Sequence, residues 1–211
     1  MSKRAFPKPG NFVYPVPAVM VSLKGADGQK NIFTAAWTGT VCSDPPMVYV
    51  SVRKERYSHH MLTETGEFVI NLPDKKLAFS TDYCGCTTGA KVDKFAACGL
   101  TPREGITVGA PSIEEAPVSI ECKVTQVLEL GTHDMFLAEV TAVLVDEKYI
   151  DDKDVFHMDR AGLIAYEHGA YRELGETLGR FGYSVRKKPA DKKTEAKKNK
   201  SKKVIGVKKN N

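Results

Sequence analysis

The chain has a single tryptophan, Trp37, and no uninterrupted apolar run near the ~18 residues that a bilayer-spanning helix needs. Its first residues, Met1-Ser2-Lys3-Arg4, lead into Phe6-Pro7-Lys8-Pro9 instead of an apolar signal core. These absences argue against membrane insertion and secretion, and a cytoplasmic protein is expected. Cysteine is sparse and odd in number: Cys42, Cys84, Cys86, Cys98 and Cys122 form no disulfide framework and point to reduced thiols. Cys84-Gly85-Cys86 is spaced more tightly than zinc-binding pairs, and no His-x-x-x-His follows it, so no metal site is expected. Also missing are the Gly-x-Gly-x-x-Gly turn, the Gly-x-x-x-x-Gly-Lys-Ser/Thr loop, the Gly-x-Ser-x-Gly elbow and the His-Glu-x-x-His helix. Rossmann, P-loop and simple hydrolase readings lose their main support.

The net charge of +5 is unevenly divided. Residues 186–211 hold 12 Lys/Arg against Asp191 and Glu195, whereas residues 1–185 hold 19 basic and 24 acidic side chains. The body is mildly acidic, so the overall basicity says nothing of a nucleic-acid groove within the fold. Only the tail offers RNA, DNA or an acidic partner a contact, through counterion release. Its Lys, Asn, Ala and Ser cannot bury enough surface to offset their ordering entropy, and a disordered tail is expected. The 211 residues, 42% of them hydrophobic, thus divide into one folded domain over 1–185 and a tail over 186–211.

Proline at 7, 9, 15 and 17 makes the start an extended arm. Val19 to Leu23 and Asn31 to Trp37 read as strands joined by a turn containing Gly25 and Gly28. Met47 to Val52 is a further strand. Tyr57 to Glu64 suits a short helix capped by Ser58 and ended by Gly66, and Glu67 to Leu72 is a strand. Residues 74–95 are expected to hold short helices broken at Gly85 and Gly89. Two long strands follow, Val118 to Leu130 and Met135 to Val145, joined through Gly131-Thr132-His133-Asp134. So many closely spaced strands with small helices between them fit a barrel better than alternating βαβ units.

Several segments carry chemistry. In Ser51-Val52-Arg53-Lys54-Glu55-Arg56-Tyr57-Ser58 a strand end brings a hydroxyl and a guanidinium fork to a helix start, an arrangement suited to a phosphate monoester or, equally, to a solvated turn. Around Trp37, in Ala35-Ala36-Trp37-Thr38-Gly39-Thr40, small residues let a flat ring approach the backbone, although a lone Trp commonly packs in a core. His133 sits where a donor to a charged ligand would be useful, and Lys94 follows Asp93 as a helix-end lysine does.

Taken in order, these segments resemble the flavin reductase-like, FMN-binding split-barrel family, and within it the flavoredoxin branch. The similarity is carried by Val16-Pro17-Ala18-Val19-Met20-Val21-Ser22, Asn31, Ala35-Ala36-Trp37-Thr38-Gly39, Asp44-Pro45-Pro46 through Arg53, and Gly66 through Pro73. It continues in Asp82-Tyr83-Cys84-Gly85, Thr88-Gly89, Asp93-Lys94-Phe95, Ala110-Pro111-Ser112-Ile113, Glu121-Cys122, Gly131 through Val140, Tyr171 through Gly175 and Gly182-Tyr183. The resemblance implies a mainly β split barrel with short helices, forming a homodimer with one FMN per protomer. It implies that Asn31, Trp37, Thr38, Gly39 and Thr40 line the flavin ring, and that Ser51, Val52, Arg53 and Ser58 hold the ribityl phosphate. Lys94 would neutralise phosphate or flavin charge, His133 would lie where a nicotinamide approaches, and Tyr166 would rest against the ring. The implied activity passes electrons from NADH or NADPH through FMN to free flavin, a ferric complex or a redox protein. The alternative is a carrier that holds FMN tightly and does not react directly with a nicotinamide. Cys84 and Cys86 are either redox thiols or small buried residues.

Overall fold

The computed structural model describes residues 2–186, so nearly all of the tail expected over 186–211 lies outside the described residues. The strands are β1 (Val16–Pro17), β2 (Val19–Lys24), β3 (Lys30–Ala35), β4 (Thr38–Ser43), β5 (Pro46–Arg53) and β6 (Glu67–Leu72). Then come β7 (Pro102–Arg103), β8 (Ser112–Ile113), β9 (Val118–Leu130), β10 (His133–Val145), β11 (Ile164–Glu167) and β12 (Ala170–Glu173). Three short helices, α1 (Tyr57–Thr65), α2 (Ala78–Cys86) and α3 (Lys94–Cys98), sit between strands. None of the described helices is long and apolar enough to cross a membrane.

Seven strands form one antiparallel sheet in the order β3-β2-β6-β9-β10-β5-β4. Its two edge strands, β3 and β4, are separated in sequence only by Ala36 and Trp37. A flat seven-stranded sheet would hold its edges ~29 Å apart at ~4.8 Å per strand. Three residue steps span at most ~11 Å. The sheet therefore has to roll up, and alternate side chains of its strands meet inside. Val19, Val21 and Leu23 of β2 face Phe33 and Ala35 of β3, Val48, Val50 and Val52 of β5, Phe68 and Ile70 of β6, and Phe136 and Ala138 of β10. Met61 and Leu62 of α1 join this core.

β2 is buried on both faces, which explains its nearly continuous apolar run. Met20 points outward with Ile32 into a second cluster containing Leu77, Cys84 of α2, Phe95 of α3, Leu100 and Ile113. The buried Asn71 and Glu121 side chains at these junctions are paired. Asn71 donates to Met20 O and Ser22 Oγ and accepts from Ile113 N and Ser119 Oγ. The wholly buried Glu121 carboxylate accepts from Ile106 N at 2.7 Å and Thr107 N at 2.6 Å. Burial pulls this carboxyl upward, but the Thr107 hydroxyl and the backbone donors outweigh it and hold it below the usual range. A smaller sheet, β1-β11-β12, stands beside the barrel, its hairpin turned by His168 and Gly169 at φ 43° and 99°.

Several boundaries differ from those expected. The second strand stops at Ala35, and Ala36 and Trp37 form a bend leading into β4, a strand whose small and polar residues gave no apolar signal. Ser58 does not cap α1: Arg56 holds the cap position, and Ser58 lies buried within the first turn. Gly66 ends α1 in the left-handed conformation, with its N–H on Leu62 O. α2 runs through Gly85 and ends at Cys86. His133 is the first residue of β10, because the connection from β9 needs only Gly131 and Thr132.

Candidate active site

The ends of β3, β5 and β10, the C-terminal half of α2 and the β11–β12 hairpin enclose a cavity of about 430 Å³, within the ~300–1,000 Å³ usual for ligand sites. One part of its lining is small or aromatic: Ala18, Ala35, Ala36, Trp37, Tyr14, Tyr166 and Tyr171. The Tyr14 ring lies 6.2 Å from both Trp37 and Tyr166, and Tyr166 meets Tyr171 edge-on at 5.6 Å. The remainder is mostly polar, with Thr34, Ser51, Arg53, Arg56, Asp82, Cys86 and His133 beside Phe33, Val52, Gly85 and Gly169. A second recess of about 310 Å³ adjoins it and shares Phe33, Thr34, Arg53, Arg56 and Gly85 as a common wall. Glu55, whose carboxylate is paired with Arg53, and Tyr57, Cys84, Thr87, Thr88, Gly89 and Lys94 complete that recess.

Backbone register places the two groups that matter most for charge. His133 is directly opposite Arg53 in the β10–β5 ladder. Burial and the neighbouring Arg53 guanidinium push the His133 imidazole below its ordinary value, against a smaller upward pull from Glu55. Its Nδ1 lies 2.8 Å from the Thr132 hydroxyl. Arg53 Nη1 donates to Glu55 at 2.9 Å, and Arg56 Nη1 donates to Gly85 O at 3.2 Å, which ties the β5–α1 turn to the end of α2.

Behind the second recess Lys94 is 2% exposed, and its ammonium donates to Ile32 O at 2.7 Å and Cys84 O at 2.8 Å. Burial lowers its pKa. Asn31 is equally buried and donates from Nδ2 to Ser58 Oγ at 2.9 Å, while its Oδ1 has no partner. Gly89 lies so close that a Cβ there would come within 2.2 Å of that oxygen.

Of the residues singled out from sequence, Trp37, Ser51, Val52, Arg53, His133 and Tyr166 come together around the main cavity. Lys94 lines the second recess, and Asn31 and Ser58 form the polar layer behind it. Thr38, Gly39 and Thr40 run along β4 outside both linings; the Thr38 hydroxyl donates to Tyr49 O at 2.6 Å, and Thr40 is exposed. Sequence reasoning passed over Tyr14, Thr34, Arg56, Asp82, Cys86 and Tyr171 as lining groups. Arg56 stood inside the segment already selected, whereas Tyr14 and Tyr171 become neighbours of the site only through the small sheet.

A family model described as a flavin reductase like domain matches residues 11–175, and the chain belongs to this family of split-barrel flavoproteins. Within it the chain falls in the flavoredoxin branch. It is similar to the flavoredoxin of Desulfovibrio vulgaris (Miyazaki F), at 33% identity and a TM-score of 0.81, with 88% of this chain and 100% of that chain covered. The flavoredoxin of Methanosarcina acetivorans is 27% identical with a TM-score of 0.79, over 88% and 100% of the two chains. A relative from Streptomyces pristinaespiralis, named as an NADH:riboflavin 5'-phosphate oxidoreductase, is 29% identical over 57% of this chain and 66% of its own length. Flavin-linked oxidation and reduction is the class of chemistry this family defines.

Proposed function

We propose that this protein is an FMN-dependent oxidoreductase that takes electrons from NADH or NADPH and passes them to free flavin, a ferric complex or a redox protein. The observation that carries this reading is the two-part cleft, aromatic and small at one end, cationic and rich in hydroxyls at the other. FMN has the matching parts, a flat ring and a phosphate dianion. The unpartnered Asn31 Oδ1 and the side-chain-free Gly85 and Gly89 add to the fit.

In this reading Trp37 and Tyr166 cover the ring, and Ser51, Arg53, Arg56, Thr87 and Thr88 hold the phosphate through charge-assisted hydrogen bonds. Thr38, Gly39 and Thr40 stiffen the strand that carries Trp37. Bound FMN supplies the two-electron chemistry, accepting from a nicotinamide and giving to an acceptor. Lys94 supplies fixed positive charge from beneath the recess, which favours an anionic ligand. His133, uncharged at neutral pH, offers a hydrogen bond at the mouth where donor or acceptor enters. The aromatic wall of Tyr14, Tyr166 and Tyr171 keeps water from that side.

The second reading is a flavoredoxin-type carrier, favoured by the likeness to the Desulfovibrio protein. Anaerobic addition of NADPH and then NADH to the FMN-loaded protein separates the two. Prompt bleaching by either nucleotide supports the reductase; bleaching by dithionite alone supports the carrier. We also propose a homodimer in the cytoplasm. Supporting the dimer are exposed Val127, Leu128 and Leu130 on the β9–β10 hairpin and Val41 on edge strand β4. Sedimentation at micromolar concentration tests it.

A further inference from the structure

Cys84 and Cys98, 14 residues apart in sequence, meet in the folded chain. Their sulfur atoms are 4.0 Å apart, Cys84 on α2 and Cys98 at the last position of α3. We propose that Cys84 and Cys98 form a reversible disulfide modification site beside the flavin recess, closed by hydrogen peroxide. The contact is local to a hydrophobic cluster in which Cys84 is 1% exposed and Cys98 is only partly buried. Cys98 therefore gives an oxidant its way in, and Cys84 waits behind it with no other cysteine in contact.

The chemistry balances in two steps. The Cys98 thiolate attacks one oxygen of hydrogen peroxide; the O–O bond breaks, sulfur is oxidised to sulfenic acid, and the second oxygen leaves as hydroxide, protonated to water. The Cys84 sulfur then attacks the sulfenic sulfur of Cys98; the S–O bond breaks and hydroxide takes up the Cys84 proton as a second water. Two electrons pass from two thiols to one peroxide. Cys98, the more exposed of the two, meets the oxidant first, and Cys84, whose thiol burial pushes up to about 12, is the resolving partner. The Lys94 ammonium, bonded to the Cys84 carbonyl, opposes this shift and favours the thiolate as it forms.

Closure has a consequence for the site. Drawing the sulfurs from 4.0 Å to a bond of ~2.05 Å ties α2 to the helix that begins with Lys94. Both Cys84 and Lys94 line the second recess. Reduced flavins yield peroxide with dioxygen, so the oxidant would arise next to the pair. That last link rests on the flavin reading proposed above; the thiol pair itself does not.

The test treats the full-length protein with hydrogen peroxide, alkylates the remaining thiols and maps tryptic peptides by mass spectrometry. The expected result is a loss of two of the five free thiols and a link between peptides 77–91 and 95–103, reversed by dithiothreitol. The link is expected to persist in Cys86→Ser and to vanish in Cys98→Ser. Five alkylated thiols after treatment, or a link lost in Cys86→Ser, would overturn the proposal. A parallel arm replaces peroxide with NADH or NADPH, FMN and air. The same link, suppressed by catalase, supports both readings; a link with added peroxide alone supports the disulfide and counts against nicotinamide-driven flavin reduction.

Discussion

The His59 Nε2 atom lies 2.7 Å from Asp134 Oδ2, and the Lys54 ammonium lies 3.2 Å from the other carboxylate oxygen. Asp134 follows His133 in β10 and so points to the opposite side of the sheet, away from the cavity. Its partners come from α1 and from the turn after β5. One nearly buried carboxylate thereby joins the three segments that carry His133, Arg53 and Ser58. Burial raises this carboxyl, but hydrogen bonds from His59 and Lys54 outweigh that effect and hold it below its ordinary value.

This pairing has a pH signature. A carboxylate with a depressed folded pKa contributes stability that is present above the unfolded value, ~3.9, and is lost as pH falls through the folded value. Asp134→Asn is expected to melt below the wild type at pH 7, and the gap is expected to narrow below pH ~4. Thermal melts between pH 3 and 7 check this. A gap that stays constant to pH 3 would contradict the assigned ionic role.

Glu121 makes a comparable prediction at a site remote from the cavity. Its carboxylate gathers the backbone of Ile106 and Thr107, fastening the loop that covers the outer face of β6. Glu121→Gln retains the shape but replaces one acceptor oxygen with a donor aimed at N–H groups. The expected loss is about 1.5–3 kcal/mol, read from urea unfolding. A change below ~0.5 kcal/mol, typical of a surface substitution, would sink the argument.

Much of the barrel was legible beforehand because its strands carry strong signals. Glu67–Leu72 and Val118–Leu130 were bounded as observed, since Gly66, Pro73 and Gly131 punctuate them. β4 and the β11–β12 hairpin were not, because Thr38-Gly39-Thr40 and Ala170-Tyr171-Arg172 lack apolar alternation and owe their strand state to partners elsewhere in the chain. At the site, Ser51 and Arg53 were visible as strand-end groups and His133 as a residue of the β9–β10 connection, although it proves to be the first residue of β10. The Tyr14, Tyr166 and Tyr171 wall was not foreseen as a unit, since three short strands distant in sequence assemble it. Nor was the Cys84–Cys98 contact, which depends on how two short helices pack.

Gly89 tests the polar layer behind the second recess. An added Cβ would stand within 2.8 Å of three atoms of the buried Asn31 amide, which has little room to retreat. Gly89→Ala is therefore expected to displace Asn31 from Ser58 and to cost about 1–3 kcal/mol, an overpacking penalty read from the melting temperature. A melting temperature and FMN affinity both equal to wild type would show that the amide is not confined as described.

The most direct measurement of the central claim is an equilibrium titration of the protein with FMN, followed by flavin fluorescence, alongside Arg53→Ala and Arg56→Ala. The predicted result is saturable binding of one FMN per chain in the wild type, weakened ~10–100-fold in each variant as a charge-assisted contact worth ~1.5–3 kcal/mol is removed. Absence of saturable binding, or affinities indifferent to both arginines, would contradict the assignment of this cleft to FMN.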